Sequence, residues 1–203
     1  MVITRLEELG QSKIKVYFDH QYAFQLYQKD IEQLGLAEGI EISEAYAEKI
    51  MEDTIYRRAK QKALAVLKYM DRTEKELRSK LADAGYPGSI IDRTIAYVSE
   101  YGYLNDERFA SAYVRAKMLS KSRMAIITEL QQKGISRELI DQIFAEDYEG
   151  QGEMEDAELT AIRKAVAKKT KEPEALSHDE KQRLMASLYR RGFQISKIRQ
   201  ILH

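Results

Sequence analysis

The chain contains no cysteine and no tryptophan, and only 2 of its 203 residues are proline and 10 glycine. Without cysteine there is no disulfide framework, no thiolate zinc site and no thiol nucleophile, and a reducing compartment suits the chain. The scarcity of proline and glycine leaves little sequence for turns, which points to helices joined by short connections. Histidine is also scarce, at 3 residues. His20 falls in a turn, His178 at a helix start and His203 at the terminus, none beside a plausible nucleophile. There is no Gly-rich phosphate loop and no HExxH metal motif. Neither catalysis nor a cofactor is expected. No apolar run approaches the ~20 residues of a membrane helix. The start, MVITRLEELG, lacks the basic and apolar regions of a signal peptide, so a cytoplasmic location with no membrane partner is expected.

Net charge is absent too, with 33 basic residues against 33 acidic. No global field therefore draws the chain to nucleic acid or anionic lipid. The distribution is uneven, however. Residues 1–50 hold five Lys or Arg against nine Asp or Glu, whereas from Lys181 onward there are six basic residues and no acidic one. The chain has an acidic head and a basic tail.

The head reads as β structure. In "KIKVYFDHQYAFQLY" (13–27), Ile14, Val16 and Phe18 alternate with Lys13, Lys15 and Tyr17, the period of a half-buried strand. Asp19-His20-Gln21 reads as a turn, Ala23 to Tyr27 as the returning strand, and Val2 to Leu6 as a third. So small a sheet needs a helix to pack on. "DIEQLG" (30–35) reads as one helical turn with an Asp cap and a Gly stop. Residues 44–70 read as helix with a break near Asp53-Thr54, carrying Tyr56, Ala59, Ala63, Leu67 and Met70 on one face.

A repeat follows. "KELRSKLADAGYPGSIIDRTI" (75–95), "MAIITELQQKGISRELIDQIF" (124–144) and "QRLMASLYRRGFQISKIRQIL" (182–202) share one pattern around Gly85, Gly134 and Gly192. Eight residues before the glycine stands Leu77, Ile126 or Leu184, and four before stands Leu81, Leu130 or Leu188. Six after comes Ile91, Ile140 or Ile198, and ten after comes Ile95, Phe144 or Leu202. The first pair lies on one helical face, the glycine ends that helix in the left-handed conformation, and a second helix packs back. Ser89 and Ser136 read as caps of that second helix, and Thr73-x-x-Glu76 and Ser177-x-x-Glu180 as capping boxes of the first. A further helix precedes each pair, over about 54–70, Glu107–Leu119 and Asp156–Lys169. The Pro-containing "KTKEPEALS" (169–177) is an inserted loop.

The expected fold is therefore mainly α: tandem three-helix repeats in an elongated, curved array, preceded by a small N-terminal segment with a β-hairpin. The expected boundaries are 1–52 for that segment and 53–104, 105–150 and 151–203 for the repeats.

"YGYLNDERFASAYV" (101–114) joins the first two repeats. Gly102 stops one helix, Asn105 or Asp106 caps the next, and Phe109, Ala112, Tyr113 and Ala116 form its inward stripe. With "ELQQKGI" after it and "ALAVLKYMDRTEKELRSKL" before it, this joint resembles the RecX family over about residues 56–202. The resemblance implies a small cytoplasmic protein without a catalytic centre that binds the filament of the RecA recombinase. It also implies contact with the single-stranded DNA in that filament, and inhibition of filament assembly, ATP turnover and strand exchange. The setting so implied is DNA repair by homologous recombination and the SOS response. A monomer is expected.

Three other readings stand beside this one. A helix-turn-helix that reads bases needs a basic second helix, but "SIIDRTIAYVSE" and "SRELIDQIFAED" are net acidic. A single-strand nucleic-acid binder acting without RecA and a general scaffold remain as alternatives. Candidate partner or nucleic-acid contacts are Lys117, Lys121, Arg123, Lys133, Arg190, Arg191, Lys197 and Arg199. No metal ligands are expected. Tyr69, Tyr97, Tyr101 and Tyr113 sit at core spacings, whereas Tyr189 and Phe193 flank Arg190-Arg191-Gly192 as the exposed aromatic candidates.

Overall fold

The alternation of Ile14 and Val16 with lysines produces the strand it predicts. In the computed structural model, which describes residues 1–10, 12–149 and 156–202, β2 (Lys13–Phe18) lies between β1 (Ile3–Glu8) and β3 (Gln21–Tyr27) in an antiparallel sheet. Ile14 faces Leu26 and Val16 faces Phe24, and all four are buried. Asp19 and His20 alone form the hairpin turn, Gln21 belonging to β3. Both have positive φ, 47° and 66°, the conformation whose twist matches that of the strands. β1 holds the turn in place. The Asp19 carboxylate accepts the Val2 N–H at 3.0 Å and the His20 N–H donates to the Thr4 hydroxyl at 2.8 Å.

β3 runs directly into α1 (Gln28–Leu34), which Gly35 stops at φ 64°. With no polar residue ahead of the helix, Tyr27 occupies the cap. Asp30, expected as the cap, is instead the third helical residue. Its carboxylate accepts the Tyr27 N–H at 2.9 Å and takes both arms of the Arg58 guanidinium. Burial pushes its pKa up, but Arg58 and the Tyr27 N–H outweigh that and hold it below the ordinary carboxylate range.

Ser43 caps α2 (Glu44–Ile50), accepting the Tyr46 N–H at 3.1 Å. The helix then continues through a π-helical stretch, Met51–Tyr56, into α3 (Arg57–Tyr69). The buried positions explain the wide turn. Ala47, Ile50, Ile55, Ala59 and Ala63 are all buried, and the step from Ile50 to Ile55 is one residue too long for a 3.6-residue turn. The break expected near Asp53-Thr54 is thus a change of pitch. The buried stripe does not reach Met70, which is extended (φ −163°) and half exposed.

Three helical triplets follow. They are α3 with α4 (Glu74–Asp83) and α5 (Gly88–Glu100), then α6 (Asp106–Lys117), α7 (Arg123–Gln132) and α8 (Arg137–Glu149), then α9 (Ala157–Ala167), α10 (His178–Arg190) and α11 (Ile195–Leu202). Of the repeated apolar positions only Leu184 is less than fully buried. Gly85, Gly134 and Gly192 have φ of 86°, 93° and 84°. Thr73 and Ser177 form both expected capping boxes, and Ser136 accepts the Leu139 N–H. Ser89 lies inside α5 instead, because Pro87, with its fixed φ near −61°, takes the cap. The inserted loop carries a 3-10 turn, Pro173–Ala175. The expected 150/151 boundary lies outside the described residues, as does His203.

Gly102 stops α5 at φ 69°, and the next helix begins at Asp106. Its stripe is centred on buried Ala110 and Val114, flanked by half-buried Phe109 and Tyr113. Ala112 and Ala116, expected inward, are exposed on the far side of those rings. Tyr69 and Tyr101, expected in the core, are 90% and 62% exposed, whereas Tyr97 and Tyr113 are half buried. The chain divides into two units, Met1–Asn105 and Asp106–His203. Among the described residues no helix is long and apolar enough to cross a membrane.

Candidate partner-binding groove

α7 opens on "SKSRMAII". Ser122 is its cap, accepting the Ala125 N–H at 3.1 Å, and is only 1% exposed. The same hydroxyl donates to the backbone carbonyl of Arg191 at 2.6 Å, in the turn between α10 and α11. The two repeats approach closely there. A Cβ on Gly192 would lie 2.9 Å from the Met124 Cβ and 3.0 Å from the Ser122 Oγ. Glycine at 192 therefore serves twice, ending α10 and admitting the first turn of α7.

A groove of about 560 Å³ runs along this seam. Lys121, Met124, Thr128 and Gln132 form one side, and Arg190 and Arg191 the other. Phe193 lies beneath, 2% exposed rather than projecting as expected. It follows a left-handed glycine, so its N–H bonds back to the Leu188 carbonyl and its ring packs on α10. Tyr189 is 62% exposed, as its position suggested.

The charges of the groove fall into two classes. Lys121 pairs with Glu129, which also accepts the Tyr113 hydroxyl at 2.6 Å. Burial pushes Glu129 up, but the bonds from Lys121 and Tyr113, with the Lys117 charge, hold it below the usual range. Tyr113 is pushed up to about 12 by burial and by its bond to Glu129. Arg190 and Arg191 are exposed, and neither has a carboxylate partner among the described residues; Arg191 lies 5.4 Å over the Phe193 ring. Two unpaired guanidinium groups beside exposed Met124 suit a ligand with carboxylate or phosphate oxygens and an apolar portion.

The other candidate cations lie elsewhere. Arg123 covers Phe144 at 4.7 Å and Lys133 covers Phe109 at 5.5 Å, so both shield core rings. Lys197 is drawn inward, 2.6 Å from Asp156 and 3.0 Å from Glu158. Burial lowers its pKa, but the two carboxylates more than offset that and raise it. It ties α11 to the start of α9. Arg199 is exposed on another face of the third repeat, near Tyr189 and Ile195. The sequence reading missed Ser122 and Met124. Ser122 carried a legible cap signal, a serine just ahead of an apolar helical run, but its bond to Arg191 spans 69 residues.

In the first unit, another element is seated on the equivalent turn. The Tyr22 hydroxyl on β3 donates to the Gly85 carbonyl at 2.8 Å, and a Cβ on Gly85 would collide with the Gln25 side-chain amide.

Comparison with known proteins matches the three helical repeats. The RecX first, second and third three-helix domain models match residues 59–97, 105–143 and 156–202. The regulatory protein RecX of Caldanaerobacter subterraneus subsp. tengcongensis is 33% identical over 205 residues, covering 100% of this chain and 99% of that one. The regulatory protein RecX of Clostridium acetobutylicum is 29% identical over 98% of this chain and 94% of its own. A crystal structure of regulatory protein RecX has the same fold, with a TM-score of 0.61, 23% identity, and coverage of 99% of this chain and 98% of that one. All three helical domains are matched in order, and with relatives aligned from end to end the chain belongs to the RecX family of regulatory proteins.

Proposed function

We propose that this protein regulates the RecA recombinase without catalysis of its own, binding the RecA filament on single-stranded DNA and inhibiting its assembly, ATP turnover and strand exchange in the cytoplasm. The observation that carries this reading is membership of a regulatory family across all three repeats. The repeats, with proposed boundaries 53–104, 105–150 and 151–203, each offer helical faces suited to a periodic partner rather than a small ligand. The α7–Gly192 groove provides contacts through Arg190, Arg191 and Met124. Regulation is then by occupancy, since a protein that binds one assembly state shifts the equilibrium by mass action.

The test is RecA ATP hydrolysis on single-stranded DNA, with the protein titrated below one copy per RecA. Inhibition is expected, and Arg190→Glu/Arg191→Glu should require at least about tenfold more protein, since a charge-assisted bond is worth about 1.5–3 kcal/mol. No effect of the unmodified protein at equimolar ratio, using RecA of the same organism, would exclude the reading. A second reading rests on Tyr189, which is exposed beside Arg190 and could stack on an unpaired base. It requires DNA affinity without RecA, falling steeply with salt.

A further inference from the structure

We propose that the first unit carries a docking groove for the third repeat of a second copy of this chain, so that copies associate head to tail. The groove, about 1000 Å³, lies between the sheet and the α2–π helix. Phe18, Phe24, Ala47 and Met51 give it an apolar lining. Its rim is acidic. Glu44, Glu48 and Asp53 are exposed and have no ion-pair partner among the described residues, whereas Glu52 is engaged by Arg93 at 2.8 Å. Lys49 and the Met1 ammonium, which donates to the Ile42 carbonyl, are the other positive groups there. The π-helical stretch supplies Met51 and Asp53 to this rim, and such stretches recur at functional sites.

The complementary face lies on the third repeat. Tyr189 and Ile195 are 62% and 41% exposed, with Met185 and Ala186 beside them in a shallow depression of about 480 Å³. Arg199 borders them without a carboxylate partner among the described residues. An apolar pair bordered by a cation is the counterpart of an apolar groove whose rim holds an excess of acid, and the opposition repeats that between residues 1–50 and the segment from Lys181. Such complementarity fixes register and favours encounter. The two faces differ, so the contact is heterologous rather than self-complementary. Both are small, so the chain is a monomer when dilute and associates as concentration rises. This inference does not depend on the partner proposed above.

Sedimentation velocity of the full chain, from micromolar to near-millimolar concentration, tests it. At low salt the average mass should rise with concentration, and association should weaken about tenfold at physiological ionic strength. Glu44→Lys/Glu48→Lys and Tyr189→Ser/Arg199→Glu should each remain monomeric. A mixture of Glu48→Arg with Arg199→Glu should recover association that neither shows alone. All these side chains are exposed; should circular dichroism show a variant unfolded, Glu44→Gln/Glu48→Gln and Arg199→Gln replace it. A monomer mass throughout at low salt overturns the proposal, as does association unaffected by both variant sets. So does a groove that binds a synthetic lysine- and leucine-patterned helical peptide while the chain itself stays monomeric.

Discussion

Replacing Gly192 by alanine tests the seam between the second and third repeats. Two costs arise. At φ 84° an L-residue is strained by about 1–2 kcal/mol. The added Cβ would also sit 2.9 Å from the Met124 Cβ, against an ordinary carbon–carbon contact of about 3.5–4.0 Å. Relieving that overlap must move α7 or the turn, and overpacking of this kind costs about 1–3 kcal/mol. The sum is about 2–5 kcal/mol. Asparagine separates the two costs. It tolerates the left-handed conformation but carries the same Cβ, so Gly192→Asn should still lose about 1–3 kcal/mol. Gly102→Ala is the converse control, because φ is 69° there but no atom lies within 4 Å of the added methyl. Chemical denaturation should be combined with amide hydrogen exchange in α7 and α11, since a two-unit chain need not unfold in one step. If Gly192→Asn matched the wild type within about 0.5 kcal/mol, the close approach would carry no energetic weight and the account of the seam would fail.

Ser122→Ala removes the α7 cap and leaves the Arg191 carbonyl without its donor; a loss of about 2–3 kcal/mol by urea denaturation is expected. Asp30→Asn should cost about 3 kcal/mol, because it leaves Arg58 facing an uncharged partner in a largely buried pair. The folded carboxyl of Asp30 titrates below its ordinary value, so its contribution is present above the ordinary carboxylate pKa and fades as pH falls through the folded one. The stability gap between wild type and Asp30→Asn should close in acid. Tyr113 has the opposite sign. Its folded pKa is raised from 10.0 to about 12, so the neutral phenol stabilises the fold below pH 10 and that contribution is lost between 10 and about 12. In an ultraviolet titration of the phenolate band, Tyr113→Phe should lose the ionisation near 12.

What the sequence disclosed was local and periodic. Strand alternation at Ile14 and Val16, the glycine stops and the two capping boxes depend on residues a few positions apart, and their chemistry leaves few alternatives. Misreadings arose where a neighbour along the chain changed a residue's role. Pro87 displaced Ser89 from the cap, and the run of β3 into α1 put Asp30 inside the helix. The left-handed turn folded Phe193 inward. The candidate surface was legible only as a list of cations. Spacing could not show that Lys197 faces two carboxylates at the start of α9 while Arg190 and Arg191 face none among the described residues, because those relations are set by tertiary packing.

The π-helical stretch between α2 and α3 has a consequence for chain length. It brings two buried faces into phase, Ala47 and Ile50 on one side and Ile55, Ala59 and Ala63 on the other. Deleting one residue among Glu52, Asp53 and Thr54 would let an uninterrupted α-helix form with the same two faces still aligned. An insertion there would instead rotate the sheet-packing end of the helix by about 100° relative to the repeat. This stretch should therefore tolerate shortening far better than lengthening, a polarity that a pair of single-residue indels would expose.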